Sequence, residues 1–137
     1  KDLFKTSNGK YIAPQMIESK ILVDKYIDQI AVIADQRKFV SALIIPVYGM
    51  LEEYARAHNI AFENREQLCA NPQIYAMMKE RIDTLQQQLA HYEQVKRFTL
   101  LPHQFSMEKG ELTNTLKIRR RVLNENYKAE IDKMYED

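Results

Sequence analysis

The chain has 137 residues, 45% of them hydrophobic and 28% charged, and a formal net charge of +1 from 20 basic and 19 acidic side chains. This is the length of one ordinary domain with enough apolar material for a core, and the near balance of charge excludes the broad basic field of a nucleic-acid or anionic-membrane binder. A single cysteine, Cys69, excludes an internal disulfide framework, and no run approaches the roughly 18 apolar residues of a membrane span.

No Cys/His spacing suits a structural zinc site, and no charged-then-apolar segment opens the chain. A reducing cytoplasm is the expected compartment. The first residues, "KDLFKTSNGKYIAP", read as the middle of a structural unit, so a piece of a longer polypeptide is expected. Within them Asn8 and Gly9 separate two short alternating runs. Asn-Gly is a strong hairpin signal because both positions of a two-residue loop need positive φ. Pro14 suits a first helical turn, and Ile17 and Ile21 repeat at helical spacing after it.

The β-branched runs "IDQIAVIAD" and "FVSALIIPV", separated by the polar "QRK", predict two buried neighbouring strands. A helix follows in "YGMLEEYARAHNI", with Leu51, Tyr54, Ala55 and His58 on one side. Asn71 as N-cap and Pro72 at the first helical position then open the longest predicted element. Ile74, Met78, Ile82, Leu85, Leu89, Tyr92 and Val95 form its apolar stripe, and at ~1.5 Å rise per residue it would run close to 40 Å. "FTLLPHQF" predicts a short edge strand, where Pro102 is tolerated. A last helix is expected from Lys117 or Arg119, with Leu123, Tyr127, Ile131 and Met134 inward. The fold class is α+β: a small central sheet of about three strands and an N-terminal β-hairpin, flanked by helices that include one long one.

The stretch "GELTNTLKIRRR", Gly110 to Arg121, sets Arg119, Arg120 and Arg121 in a first helical turn, where the positive end of the helix dipole disfavours cations. Glu108, Glu111 or Glu125 are the expected partners. Lys117 closes a loop holding Gly110, Thr113, Asn114 and Thr115, small or turn-favouring residues that let a backbone approach a ligand. A lysine delivered by such a loop places a point charge on a phosphate or carboxylate. "SNGK" lacks the G-x-x-x-x-G-K-[ST] spacing of a phosphate loop. His58, His91 and His103 have no metal-ligand spacing, Met77 and Met78 read as core filler, and Cys69 reads as a packed residue with no nearby base.

"GELTNTLKIRRR" followed by "NENYKAEIDKMY" resembles the C-terminal end of acyl-adenylate-forming enzymes, specifically long-chain fatty acyl-CoA synthetases. That family usually shows Gly-Glu-Leu-Thr-Pro-Thr-Leu-Lys followed by basic residues. "KDLFKTSNGKYIAPQMIE" resembles the motif after the family's interdomain hinge, and "HYEQVKRFTLLPHQF" its long helix and following strand. The likeness covers essentially the whole chain. It departs at Asn114, where proline is usual, and at Asn8, where a second glycine is common.

The resemblance implies that residues 1–137 form a single mobile C-terminal lid domain closing over a much larger N-terminal adenylation domain of the same polypeptide. The whole enzyme would join a fatty acid to AMP from ATP, with Mg2+, and then transfer the acyl group to coenzyme A. The isolated domain would bind none of these and be inactive. By position, Lys117 corresponds to the lysine that reaches the substrate carboxylate and nucleotide during adenylation, supported by the loop of Gly110, Thr113 and Thr115. Ser7, Asn8, Gly9 and Lys10 correspond to the hairpin that lines the thioester-forming site. The implied location is cytoplasmic, with peripheral membrane attachment of the complete enzyme an open alternative. A competing reading is a protein-interaction module that docks through the Met-rich helix, which requires the stripe from Ile74 to Val95 to be exposed. A nucleic-acid binder using "KIRRR" is disfavoured by the near-zero net charge and the lack of aromatics interleaved with basic residues.

Overall fold

The computed structural model describes residues 2–137. Strands β1 (Phe4–Lys5) and β2 (Tyr11–Ile12) form the expected hairpin, pairing Phe4 with Ile12 and Lys5 with Tyr11. Helix α1 (Pro14–Ile21) starts on the proline and turns Pro14, Ile17 and Ile21 into the core. The central sheet has the order β3-β4-β5, from β3 (Ile27–Ile33), β4 (Val40–Pro46) and β5 (Val95–Leu100). β3 and β4 are antiparallel neighbours, as their β-branched runs predict, and all seven residues of β4 are buried. β5 joins the far edge of β4 in parallel, which needs a helical crossover.

That crossover is α2 (Tyr48–Ala57), α3 (Arg65–Ala70) and α4 (Pro72–Leu85). Leu51 and Ala55 of α2 are buried, whereas His58 lies outside on the surface, stacked on Tyr54 at 3.9 Å. Helix α3 escaped the sequence reading although "NREQ" carries its start signal. The Asn64 side chain accepts from the Gln67 N–H at 2.8 Å, and the Gln67 side chain accepts from the Glu63 N–H at 2.9 Å. α4 begins as expected, with Asn71 Oδ1 accepting from the N–H groups of Gln73 and Ile74.

The long helix is shorter than its apolar period predicts. It stops at Leu85 after 14 residues, about 21 Å at the α-helical rise. The cause is Gln86, whose buried side chain pairs with a strand backbone: Nε2 donates to Val95 O at 2.9 Å and Oε1 accepts from Val95 N–H at 2.8 Å. Tyr92 therefore sits in a 3-10 turn (His91–Glu93) and Val95 opens β5, three residues before the predicted strand start. Pro102 falls beyond the strand. The stripe is nonetheless inward, with Ile74, Met78 and Ile82 fully buried, Val95 buried and Met77 packed on the core; only Tyr92 of the stripe is exposed.

The last helix is also divided. It begins at Arg120, with Arg119 as N-cap, and breaks at Tyr127 into α5 (Arg120–Asn126) and α6 (Lys128–Met134). Leu123, Tyr127, Ile131 and Met134 face inward as their spacing predicts. α6 lies against β5, where Arg97 Nη1 donates to the carbonyls of Met134 and Glu136 at 2.7 and 2.8 Å.

Candidate functional site

The segment after β5 closes on itself before α5 begins. Leu112 and Ile118 form an antiparallel bridge, and the turn between them carries Lys117 at its exit. Thr113 N–H donates to Lys117 O at 2.8 Å, Leu116 N–H to Thr113 O at 2.8 Å, and Lys117 N–H to Thr113 Oγ1 at 3.1 Å. Thr115 supports the turn through its hydroxyl, 3.1 Å from that of Thr113. The predicted loop of Gly110, Thr113, Thr115 and Lys117 is therefore one hairpin. Leu116 takes φ +63° there, a left-handed conformation that non-glycine residues adopt at a cost. Gly110, at the hairpin base, has φ +75°, and a Cβ would make only ordinary contacts with Arg119 and Val122; backbone conformation, not space, is what calls for glycine.

The first hairpin repeats this turn bond for bond. Thr6 N–H donates to Lys10 O, Gly9 N–H to Thr6 O, each at 2.9 Å, and Lys10 N–H to Thr6 Oγ1 at 3.0 Å. Only Gly9, at φ +87°, is left-handed; Asn8 is not. The loop is thus a three-residue one, Ser7 to Gly9, instead of the two-residue Asn-Gly turn its sequence suggests. Asn8 bonds back through its Oδ1, which accepts from Thr6 Oγ1 at 2.5 Å. A Cβ on Gly9 would meet nothing within 4 Å, and Ser7 through Lys10 are all exposed. Ser7 N–H is tied to Arg37 O at 2.9 Å, which fixes the hairpin to the β3–β4 loop.

The arginine run resolves into separate roles. Arg120 pairs with Glu18 through two bonds of 2.7 and 2.9 Å, donates to Asp2 at 2.7 Å, and lies 5.6 Å over the Phe4 ring. Neither carboxylate was among its expected partners. They offset the guanidinium's place in the first turn of α5, and their bonds raise its pKa against the lowering effect of burial, the largest single influence. Arg121 takes one expected partner, Glu125, at 3.2 Å. Glu111, expected as an arginine partner, is instead buried at 1% exposure. Lys117 is exposed and joins none of the ion pairs among the described residues.

Lys117, Thr113 and Leu116 line one wall of a groove whose other side is α1 and β3, including Glu18, Leu22 and Asp28. Ser7 to Lys10 do not line it, so the two lysine-bearing turns open onto different parts of the surface. Among the described residues no three His, Cys, Asp or Glu side chains converge as a metal site, and no helix is long and apolar enough to cross a membrane. The Cys69 thiol is buried and pushed up to about 11, by burial first and Glu66 second, which keeps it protonated and unreactive at neutral pH. Arg120 and Glu111 are the site residues the sequence reading missed in these roles. Their partners lie on α1, just before and on β1, in the loop after β5 and at the end of α5, and only the acidic and basic residue types were visible beforehand.

The chain is 32% identical over 139 residues to long-chain-fatty-acid–CoA ligase 1 of Homo sapiens, covering 98% of this chain and 20% of that protein. It is 32% identical over 140 residues to the peroxisomal long chain acyl-CoA synthetase 7 of Arabidopsis thaliana, again 98% and 20%. It therefore spans about a fifth of the length of these relatives. The adenylation domain of a carboxylate reductase from Mycobacterium chelonae shares the fold, with a TM-score of 0.79 at 21% identity over 98% of this chain and 19% of that one. The family of AMP-binding enzyme C-terminal domains matches residues 1–137 throughout, and the chain belongs to that family.

Proposed function

We propose that this chain is the mobile C-terminal domain of an ATP-dependent long-chain fatty acid–CoA ligase, closing over an N-terminal adenylation domain of the same polypeptide and inactive alone. The observation that carries the reading is Lys117: an exposed ammonium at the exit of a braced turn, outside every ion pair among the described residues, while Arg120 and Arg121 beside it are paired. A lysine buried within the domain could not serve a neighbouring one. The names of the relatives supply the substrate class.

The chemistry explains the residue type. In the first half-reaction a fatty-acid carboxylate oxygen attacks the α-phosphorus of ATP, the bond to the bridging oxygen breaks, and pyrophosphate leaves. Two anions must approach each other, and an ammonium touching both compensates most where their charges crowd in the transition state. In the second, the thiol of coenzyme A attacks the acyl carbonyl and AMP leaves. There the turn of Ser7, Asn8, Gly9 and Lys10 would lie along the pantetheine arm, and positioning matters more than a side-chain base. The Mg2+ that accompanies ATP would be held outside these residues, which offer it no converging carboxylates. A cytoplasmic location belongs to the same proposal. The interaction-module reading is not favoured, because the stripe it needs exposed is mostly buried.

The test is Lys117→Ala in the full-length enzyme. Adenylation is expected to fall about 10²- to 10³-fold, or about 3 to 4 kcal/mol, while thioester formation from supplied acyl-adenylate survives. Equal loss of both half-reactions, or of neither, overturns the assignment.

A further inference from the structure

The geometry points to Glu111 as the positioning residue for Lys117, a role that rests on the function proposed above for that lysine. Glu111 is 1% exposed, yet its carboxylate forms no ion pair among the described residues. Its partners are neutral: Oε1 accepts from Ser106 N–H at 2.9 Å and Oε2 from Asn126 Nδ2 at 3.0 Å. The Tyr127 hydroxyl is buried beside it, outside good hydrogen-bond geometry, and burial first and Glu111 second push its pKa up. A carboxylate removed from water and given only neutral donors is an expensive way to fill space, since an apolar side chain of similar size would pack there more cheaply.

What Glu111 achieves, with its backbone and its side chain together, is a fixed direction for the hairpin. Its own N–H donates to Ser106 O at 2.9 Å while Oε1 takes Ser106 N–H, which closes residues 106–111 into a rigid loop. Its carbonyl accepts from Arg119 N–H at 2.8 Å, directly outside the Leu112–Ile118 bridge, so Glu111 clamps both strands at the hairpin base. Through Asn126 the same side chain reaches the last residue of α5. The hairpin base is thereby referenced to a helix, with Lys117 next to the bridge residue Ile118. Near-attack geometry is steep in distance, so a shift of about 1 Å at the tip changes rate by about 10²-fold.

The experiment uses the full-length enzyme and the two half-reactions measured separately. Glu111→Ala is expected to lower kcat for adenylation about 10- to 100-fold, with KM for ATP and fatty acid unchanged and thioester formation from supplied acyl-adenylate retained. Glu111→Gln keeps an acceptor for Ser106 and is expected to recover most of the loss, the Asn126 amide reversing to accept from it. Glu111→Ala combined with Lys117→Ala is expected to be no slower than Lys117→Ala alone, because a residue acting through the lysine has nothing further to lose. Additive loss in the double variant, or parallel loss of both half-reactions, overturns the positioning role. If Glu111→Ala does not fold, Asn126→Ala removes one contact from outside the core and is expected to reproduce a smaller, adenylation-selective loss; no loss there overturns the proposal as well. A Lys117→Ala enzyme that still adenylates normally would refute the reading beneath, separately from these outcomes.

Discussion

The two lysine-bearing turns share one hydrogen-bond plan and differ in the residue that takes the left-handed conformation. Thr6 to Lys10 and Thr113 to Lys117 each set a threonine hydroxyl against the lysine N–H, and each places its fourth residue left-handed. In the first turn that residue is Gly9; in the second it is Leu116, 64% exposed. Nothing in the domain lies within 4 Å of a Cβ on Gly9, so its left-handed backbone, and not internal crowding, is what calls for glycine there. Leu116 shows that the same turn accepts a large side chain in that conformation, at the cost of backbone strain. The turns are also backed differently, the first by the β3–β4 loop through Ser7 and Arg37, the second by the buried Glu111. Arg120 spans both, lying over Phe4 of the first hairpin while opening the helix that follows the second.

The most damaging way to break the comparison is to give the first turn the residue of the second. Gly9→Leu in the full-length enzyme is expected to slow thioester formation about 10²-fold by pushing the turn off its partner surface, and to leave adenylation nearly unchanged. Measuring the half-reactions separately decides it; an unimpaired second half-reaction would mean that glycine serves only the turn. Next in size is the link between the turns. Arg120→Ala leaves Glu18 and Asp2 without their cation and is expected to lower unfolding free energy by about 2 to 3 kcal/mol, below the fully buried range because both side chains keep some solvent. Arg120→Lys should recover little, since an ammonium cannot bond Glu18 with two donors and reach Asp2 as well. Urea titration measures both, and a lysine variant as stable as the parent would show that charge alone is enough.

How much of this was legible beforehand depended on the reach of each interaction. The β-branched runs of β3 and β4, the Asn71-Pro72 start of α4 and the inward residues of α5 and α6 are local patterns, and the structure follows them. The end of α4 was not legible, because Leu89, Tyr92 and Val95 continue the helical period while Gln86 captures the backbone of Val95, nine residues on. Lys117 stood out through a motif, yet Glu111 within the same motif read as a surface partner for arginine. Its burial follows from Ser106, Asn126 and Tyr127 closing around it, which no spacing rule encodes. Arg120 and Glu18 are 102 positions apart, and a charge run by itself does not say which member turns inward.

The reciprocal exchange sharpens the comparison with a smaller effect of opposite sign. Leu116→Gly relieves the left-handed strain of a side-chain-bearing residue, and the gain exceeds the entropy a glycine adds to the unfolded chain. The expected outcome is stabilisation of up to about 1 kcal/mol in thermal or urea unfolding. A destabilised variant would mean that the exposed leucine makes contacts worth more than its strain, and that the two turns are alike only in their hydrogen bonds.

The smallest effect concerns what stands behind the first turn. Arg37, whose carbonyl receives Ser7 N–H, also bonds Asp132 at 2.8 Å, and Lys128 bonds the same carboxylate at 2.7 Å. These bonds, Lys128 first and Arg37 second, hold the Asp132 carboxyl below its ordinary value. A carboxyl whose pKa is lowered on folding contributes stability above its unfolded pKa and loses it as pH falls through the folded one. Asp132→Asn is therefore expected to lower the thermal midpoint slightly at pH 7 and progressively less below pH ~4, the difference vanishing once the parent carboxylate is protonated. Because the pair is solvent-exposed, added salt should shrink the same difference at pH 7. A gap between parent and variant that stays constant into acid would show that Asp132 supports the β3–β4 loop by packing instead of charge, and that the first turn is braced by backbone hydrogen bonds alone.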